Sequence, residues 1–236
     1  MSPFFGLLLG VLLLVPAIVI AIPVHEMGHA AAAYFLGDRS VRYYGYLSPD
    51  PRRFLEPIGV IAVVVALVGW GRRVPVQSNR INTTRQRVLF ELGGPAANLI
   101  VAIGLGFLLR ALVRAGLPYS FDVGPGLVLA AIYVIVFLNL SIFAFQLLPI
   151  PGLDGWNIIE ALFRSRNPRF FYDVSLRRRE IWAGAVIVLI AFQFLARVNI
   201  LWYVMAPFYE PASLISIGRC DGYAIPNLTA LFPCLL

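Results

Sequence analysis

Four apolar runs constrain this chain more than any other feature. They cover about residues 4–34, 90–113, 126–148 and 181–206. Each is long enough to cross a bilayer as a helix, which takes about 20 apolar residues. The chain has 236 residues, of which 60% are hydrophobic and 13% charged. A soluble domain carries roughly 25% charged residues. These runs leave no stretch large enough for a separate soluble domain. The expected architecture is an all-α polytopic membrane protein, a single domain over residues 1–236, with about four to five transmembrane helices. The first run reads as a retained anchor, because Met1, Ser2 and Pro3 supply no positive n-region.

A fifth apolar run, Pro57 to Gly71, is too short to span comfortably and contains Pro57, Gly59, Gly69 and Gly71. All nineteen basic residues are arginine. If 57–71 spans, arginines crowd both faces of the membrane. If it dips in and returns, or lies as strands at the interface, fifteen arginines share one face and four the other. The second arrangement satisfies the positive-inside rule. It predicts a short re-entrant or interfacial β segment, both termini outside, and loops 35–89 and 149–180 on the cytoplasmic side. Its backbone polar groups must then be covered by protein or line a wet cavity.

His25 and His29 are the only histidines. Four residues apart, they share one face of a helix, with Glu26 beside them. H-E-x-x-H on a helix can place two imidazoles on one Zn²⁺ and a carboxylate next to the water it activates. Ionisable groups inside an apolar run are costly and point to function; the plain alternative is a polar cluster that packs helices. Catalytic zinc takes a third protein ligand and keeps one position open. Asp154, in "LLPIPGLDGW", and Glu91, in "LFELGGP", are both available on the same side, with Glu160 further on. Asp154 is the better placed, since Pro149 and Pro151 stiffen its presentation. Glu91 reads otherwise as a carboxylate at a helix N-terminus. Cys220 and Cys234 fall in the outer tail, where they could pair as a disulfide.

Three motifs in order, "VHEMGHA" (24–30), "GGPAAN" (93–98) and "LLPIPGLDG" (147–155), resemble those of the site-2 protease family of intramembrane zinc metalloproteases. The resemblance covers most of residues 4–160 as a catalytic core, leaving a C-terminal helix and tail at 181–236. It implies zinc on His25, His29 and Asp154, with Glu26 activating water. The family reads F-N-L-L-P before its LDG element; here Gln146 stands at the asparagine position, so Gln146 is the implied holder of the substrate carbonyl. Asn98 is an implied neighbour of substrate, or else part of a small-residue helix contact with Gly93, Gly94, Ala96 and Ala97. The stretch 56–77 resembles the re-entrant sheet of members lacking a PDZ insert, and residues 114–125 are too few to hold one.

The implied substrates are single-span membrane proteins, such as anti-sigma factors or signal-peptide remnants, in a prokaryotic cell membrane, cut towards the cytoplasmic side. A strand-like 57–71 would offer an edge to an extended peptide. The arginines at 164–179, with Phe170, Phe171 and Tyr172, suit an anionic lipid surface and no nucleic acid. The competing functions are a membrane metal transporter or sensor with the same ligands, a catalytically impaired homologue serving as a binding module, and a CaaX-type protease.

Overall fold

A computed structural model describes residues 3–77, 79–117, 125–191 and 200–218. Cys220, Cys234, part of the 114–125 linker and residues 192–199 of the fourth apolar run lie outside the described residues.

Three long helices form the core: α1 (Pro3–Phe35), α5 (Thr84–Arg114) and α6 (Pro125–Gln146). All three are long and apolar enough to cross a membrane. They pack against one another around Leu14, Ile18, Ile22, Ala102, Tyr133, Phe137 and Leu140. Backbone contact sets the spacing of α1 and α5. A Cβ on Gly93 would come within 2.7 Å of Ala32 Cβ and of Gly28 O. Small residues at this crossing let the two backbones touch, as membrane helices do where lipid supplies no hydrophobic drive. Thr83 caps α5: its hydroxyl accepts from Gln86 N–H, and the Gln86 side chain accepts from Thr83 N–H. That reciprocal box stops the helix at the polar end of a run that would otherwise extend into the loop.

The segment between α1 and α5 begins with two one-turn helices, α2 (Ser40–Tyr43) and α3 (Pro51–Phe54). Asp38 pins this region. Its carboxylate accepts from Ser40 N–H and O–H and, across the loop, from Gln77 N–H. Burial pushes the Asp38 carboxyl up, and these donors outweigh it and hold the group below the usual carboxylate range.

The expected β segment is instead helical. Residues 57–66 form α4 (Pro57–Ala66), started by Pro57 and by Glu56, whose carboxylate accepts from Gly59 N–H. Proline and a capping carboxylate at the first turn favour helix, and this local chemistry overrides the β-branched run "VIAVVVALV". Leu67, in the left-handed region at φ 58°, ends the helix. The chain then returns extended, and Gly71 meets Leu55 in an isolated antiparallel bridge. The segment therefore enters and leaves at the same level. Ten helical residues rise only about 15 Å, half a hydrocarbon core. The segment returns beside its starting point, and no strand forms in it among the described residues.

After α6 come α7 (Asp154–Phe163), α8 (Pro168–Leu176), α9 (Arg178–Ala191) and α10 (Ile200–Ser216). α7 packs on α5, and α10 on α5 and α6. The expected fourth span is divided between α9 and α10, with undescribed residues between them. In α8, Phe171 is not at an interface with Phe170 and Tyr172; it is buried and stacks on Trp156 of α7.

Single cysteines at Ser48, Arg80 and Ser175, in a chain with Cys220 and Cys234 replaced by serine, should react with an impermeant thiol reagent from one face of sealed vesicles. Labelling of Ser48 and Arg80 from opposite faces would show that 57–71 spans.

Candidate metal centre

The two histidines lie on the last third of α1 and point at the first residue of α7. Asp154 Oδ2 is 3.0 Å from His25 Nε2 and 3.0 Å from His29 Nε2, and the two Nε2 atoms are 3.1 Å apart. All three residues are at most 6% exposed. Residues 125 or more positions apart in the chain thus meet at one point. Glu91, the other third-ligand candidate, is elsewhere: its carboxylate takes both contacts of Arg73 and accepts from Asn157 Nδ2.

The far side of each imidazole fixes its tautomer. His25 Nδ1 faces Asn98 Oδ1 at 2.7 Å, and His29 Nδ1 faces the Phe90 carbonyl at 2.8 Å. Both partners only accept, so each Nδ1 carries the proton and each Nε2 presents a lone pair. Asn98 itself is oriented by donating from Nδ2 to Ala21 O and Asn139 Oδ1, while Asn139 donates to Ile135 O. This chain of amides runs α6 to α5 to α1. Asn139 thus joins α6 to α5 through its amide. Asn98, expected near substrate, is fully buried behind His25 with both its N–H groups engaged. Its place is that of an outer partner that holds a ligating imidazole.

Two Nε2 atoms and a carboxylate oxygen therefore converge on one point of the cavity. With Nδ1 carrying the proton, each Nε2 is available as a ligand, and a cation would satisfy all three atoms at once. The three atoms are close enough to hold one metal ion. The donor set, two imidazoles and one carboxylate, fits zinc and leaves a coordination position open. Space for the ion is kept by Gly94 of α5. A Cβ there would strike His29 Nε2 and come within 2.7 Å of His25 Nε2.

Glu26 lines the same cavity, of about 340 Å³, and is 4% exposed. Its Oε2 has no hydrogen-bond partner among the described residues. A buried, unsatisfied carboxylate oxygen beside three converging acceptors suits a group whose partner is a small ligand or water. Gly71 holds it there: a Cβ on Gly71 would fall 2.7 Å from Glu26 Oε1. Gln146, at the end of α6, also lines the cavity and donates from Nε2 to Gly69 O at 3.3 Å. The bond ties the re-entrant segment to α6. Gly152, at φ 122°, makes the turn that brings Leu153 and Asp154 back to the site.

The comparisons with known proteins agree with this geometry. "Putative zinc metalloprotease YwhC" of Bacillus subtilis is 38% identical over 151 residues, which cover 63% of this chain and 68% of that protein. The chain belongs to the site-2 protease family. Rip2 of Mycobacterium tuberculosis, named in the same terms, is 34% identical over 157 residues, 64% of this chain and 57% of that protein. Rip2 of Mycolicibacterium smegmatis is 32% identical over 172 residues, 70% of this chain and 61% of that one. The matched region thus spans under two thirds of either Rip2 protein. No family model and no solved structure matches the chain.

Within this family site, sequence reasoning missed Arg73, Arg178, Trp70 and Trp182, which line the cavity. Arg73 had been counted only towards topology. Trp182 stacks edge-on to Trp70 with ring centroids 5.0 Å apart. No local pattern marks these residues; they arrive by way of the re-entrant return and the start of α9.

Replacing Asn98 by Ala should weaken metal binding by about 10- to 100-fold in a competition titration. Gly94→Ala should abolish it, while Gly104→Ala, where a Cβ meets nothing, should not. Unchanged affinity in Gly94→Ala would contradict the placement.

Proposed function

We propose that the chain is an intramembrane zinc metalloprotease that hydrolyses peptide bonds in the transmembrane segments of single-span membrane proteins. The observation that carries this reading is the convergence of His25 Nε2, His29 Nε2 and Asp154 Oδ2 beside the unpartnered Glu26 carboxylate, inside a bundle of apolar helices. When bound, zinc would polarise the scissile carbonyl and acidify the attacking water. His25, His29 and Asp154 would hold it.

Glu26 is the general base. It takes the proton of the attacking water and passes it to the departing amine. Its burial between α1 and Gly71 keeps competing water away from that carboxylate. Gln146 reaches the cavity with an amide whose Nε2 carries two N–H groups, one of them on Gly69 O. The other is free to donate to the substrate carbonyl as charge develops on it, the role of a preorganised oxyanion donor.

A helical substrate hides its peptide groups, so it must unwind at the cut. The extended return supplies a surface for the unwound stretch. Between Arg72 N–H, which donates to Phe54 O, and Gln77 N–H, which donates to Asp38, no backbone N–H forms a hydrogen bond among the described residues. Pro75 has no N–H and Val74 is buried, so Arg73 and Val76 supply the backbone N–H groups this extended return can offer to an unwound peptide. The clamp suggested for 57–71 moves to this return.

The arginine-rich loops favour a site that faces the cytoplasm, by the positive-inside rule. Anti-sigma factors and signal-peptide remnants are suitable substrate types, and the arginines at 164–179 suit anionic lipid. A metal transporter would need a polar route beyond the site. There the bundle is filled by Leu14, Ile18, Ile22, Phe137 and Leu138, which favours the protease.

Purified wild-type chain should carry one zinc and cleave members of a panel of single-span peptides in lipid. Glu26→Gln should keep its zinc and lose about 100-fold or more of the cleavage rate. Equal rates in the two proteins, or protein without zinc, would refute the reading.

A further inference from the structure

A second cavity, of about 540 Å³, opens beside the metal site and is walled by Arg52, Arg53, Arg72 and Arg73. Arg73 lines both cavities and forms a wall between them. Two of the four arginines have no carboxylate partner among the described residues. Arg73 is paired with Glu91, and Arg53 donates to Tyr44 O with Asp50 Oδ2 at 3.8 Å. The side chains of Arg52 and Arg72 make no hydrogen bond or ion pair among the described residues. Among the described residues Asp50 is the one carboxylate lining the groove, and one of its oxygens is taken by Arg52 N–H as a helix cap. The extended return leads from Gly71, beside Glu26, into this groove through Arg72 and Arg73. A chain lying along that return next to the metal site must continue past these arginines.

We propose that this groove selects substrates whose membrane span continues, on the arginine-rich face, into an acidic flank. The inference deepens the protease reading and rests on it and on its orientation. Its physical content is discrimination. Ordinary membrane proteins place Lys and Arg on the cytoplasmic side of their spans. Such flanks meet like charge in the groove and are rejected, while Asp- or Glu-rich flanks are attracted. The arginines that orient the protein thereby also exclude most of the spans that surround it. Lipid phosphate is the alternative occupant. The peptide is favoured because the groove shares Arg73 with the metal cavity and lies on the return that passes Glu26, a placement a headgroup does not need.

The test uses the full chain, zinc-loaded and bearing Glu26→Gln so that binding is read without turnover. It is held in nanodiscs of neutral phosphatidylcholine. Three single-span peptides share one span and differ only in four flanking residues, all Glu, all Gln or all Lys. The Glu flank should bind about tenfold tighter than the Gln flank at low salt, four exposed pairs each adding a fraction of a kcal/mol, and the Lys flank weakest. The ratio should shrink as salt rises. Arg52→Gln with Arg72→Gln should bring it to about one, and Arg52→Lys with Arg72→Lys should restore it. Equal affinities for the three flanks, or a preference that survives the glutamine pair, would overturn the proposal. So would equal affinities together with arginine-dependent retention of phosphatidylglycerol, which would assign the groove to lipid. Cleavage of the same peptides by the chain with Glu26 intact is scored separately. Absence of all cleavage counts against the protease reading, while the binding ratio still decides the groove.

Discussion

Two imidazole nitrogens and a carboxylate oxygen converge to about 3 Å of one another on a buried cavity, and the rest of the structure is arranged around that point. A cation there would satisfy all three at once. Burying such polar groups costs free energy that packing must supply. The amide relay from Asn139 through Asn98 to His25, and the Phe90 carbonyl behind His29, hold both rings against rotation and keep a proton on each Nδ1. Gly94 leaves room in front. The Gly28–Gly93 crossing brings α5 close enough for all of these contacts to form. Each feature is intelligible as a way to keep a metal site open in a setting that would otherwise close it.

The parts of this site legible in the sequence are those whose chemistry is local. Two histidines four apart with a glutamate between them declare their shared face, and an aspartate after a proline-rich bend declares a rigid presentation. The choice between Asp154 and Glu91 depended on which loop meets which helix, and residue chemistry alone left it open. The structure separates them through Arg73, which occupies Glu91. The two readings of Asn98 stayed open for a related reason. A small-residue motif and a nearby asparagine look the same whether the amide faces substrate or the back of a ligand, and only the α1–α5 crossing distinguishes the two.

The re-entrant segment shows the limit of pattern reading. Its β-branched residues argued for strands, yet Glu56 and Pro57 set a helix start, and a segment walled by lipid gains by satisfying its own backbone bonds. Ile58, Ile61 and Val64 remain outward-facing on that helix. The extended part is the return, from Leu67 to Gln77, where glycines and arginines replace the apolar run. That exchange puts Gly71 of the return against Glu26. It also makes Arg73 a wall shared by two cavities, which no reading of arginine counts by face could have revealed.

The central claim is that side chains from the first helix and from the turn after α6 bind one and the same ion. X-ray absorption at the zinc edge tests it directly when wild type is compared with Asp154→Cys. The account predicts a wild-type shell of nitrogen and oxygen scatterers only, and in the variant one sulfur at about 2.3 Å in place of an oxygen. A variant whose zinc shell is unchanged from wild type would place Asp154 outside the coordination sphere and contradict the account.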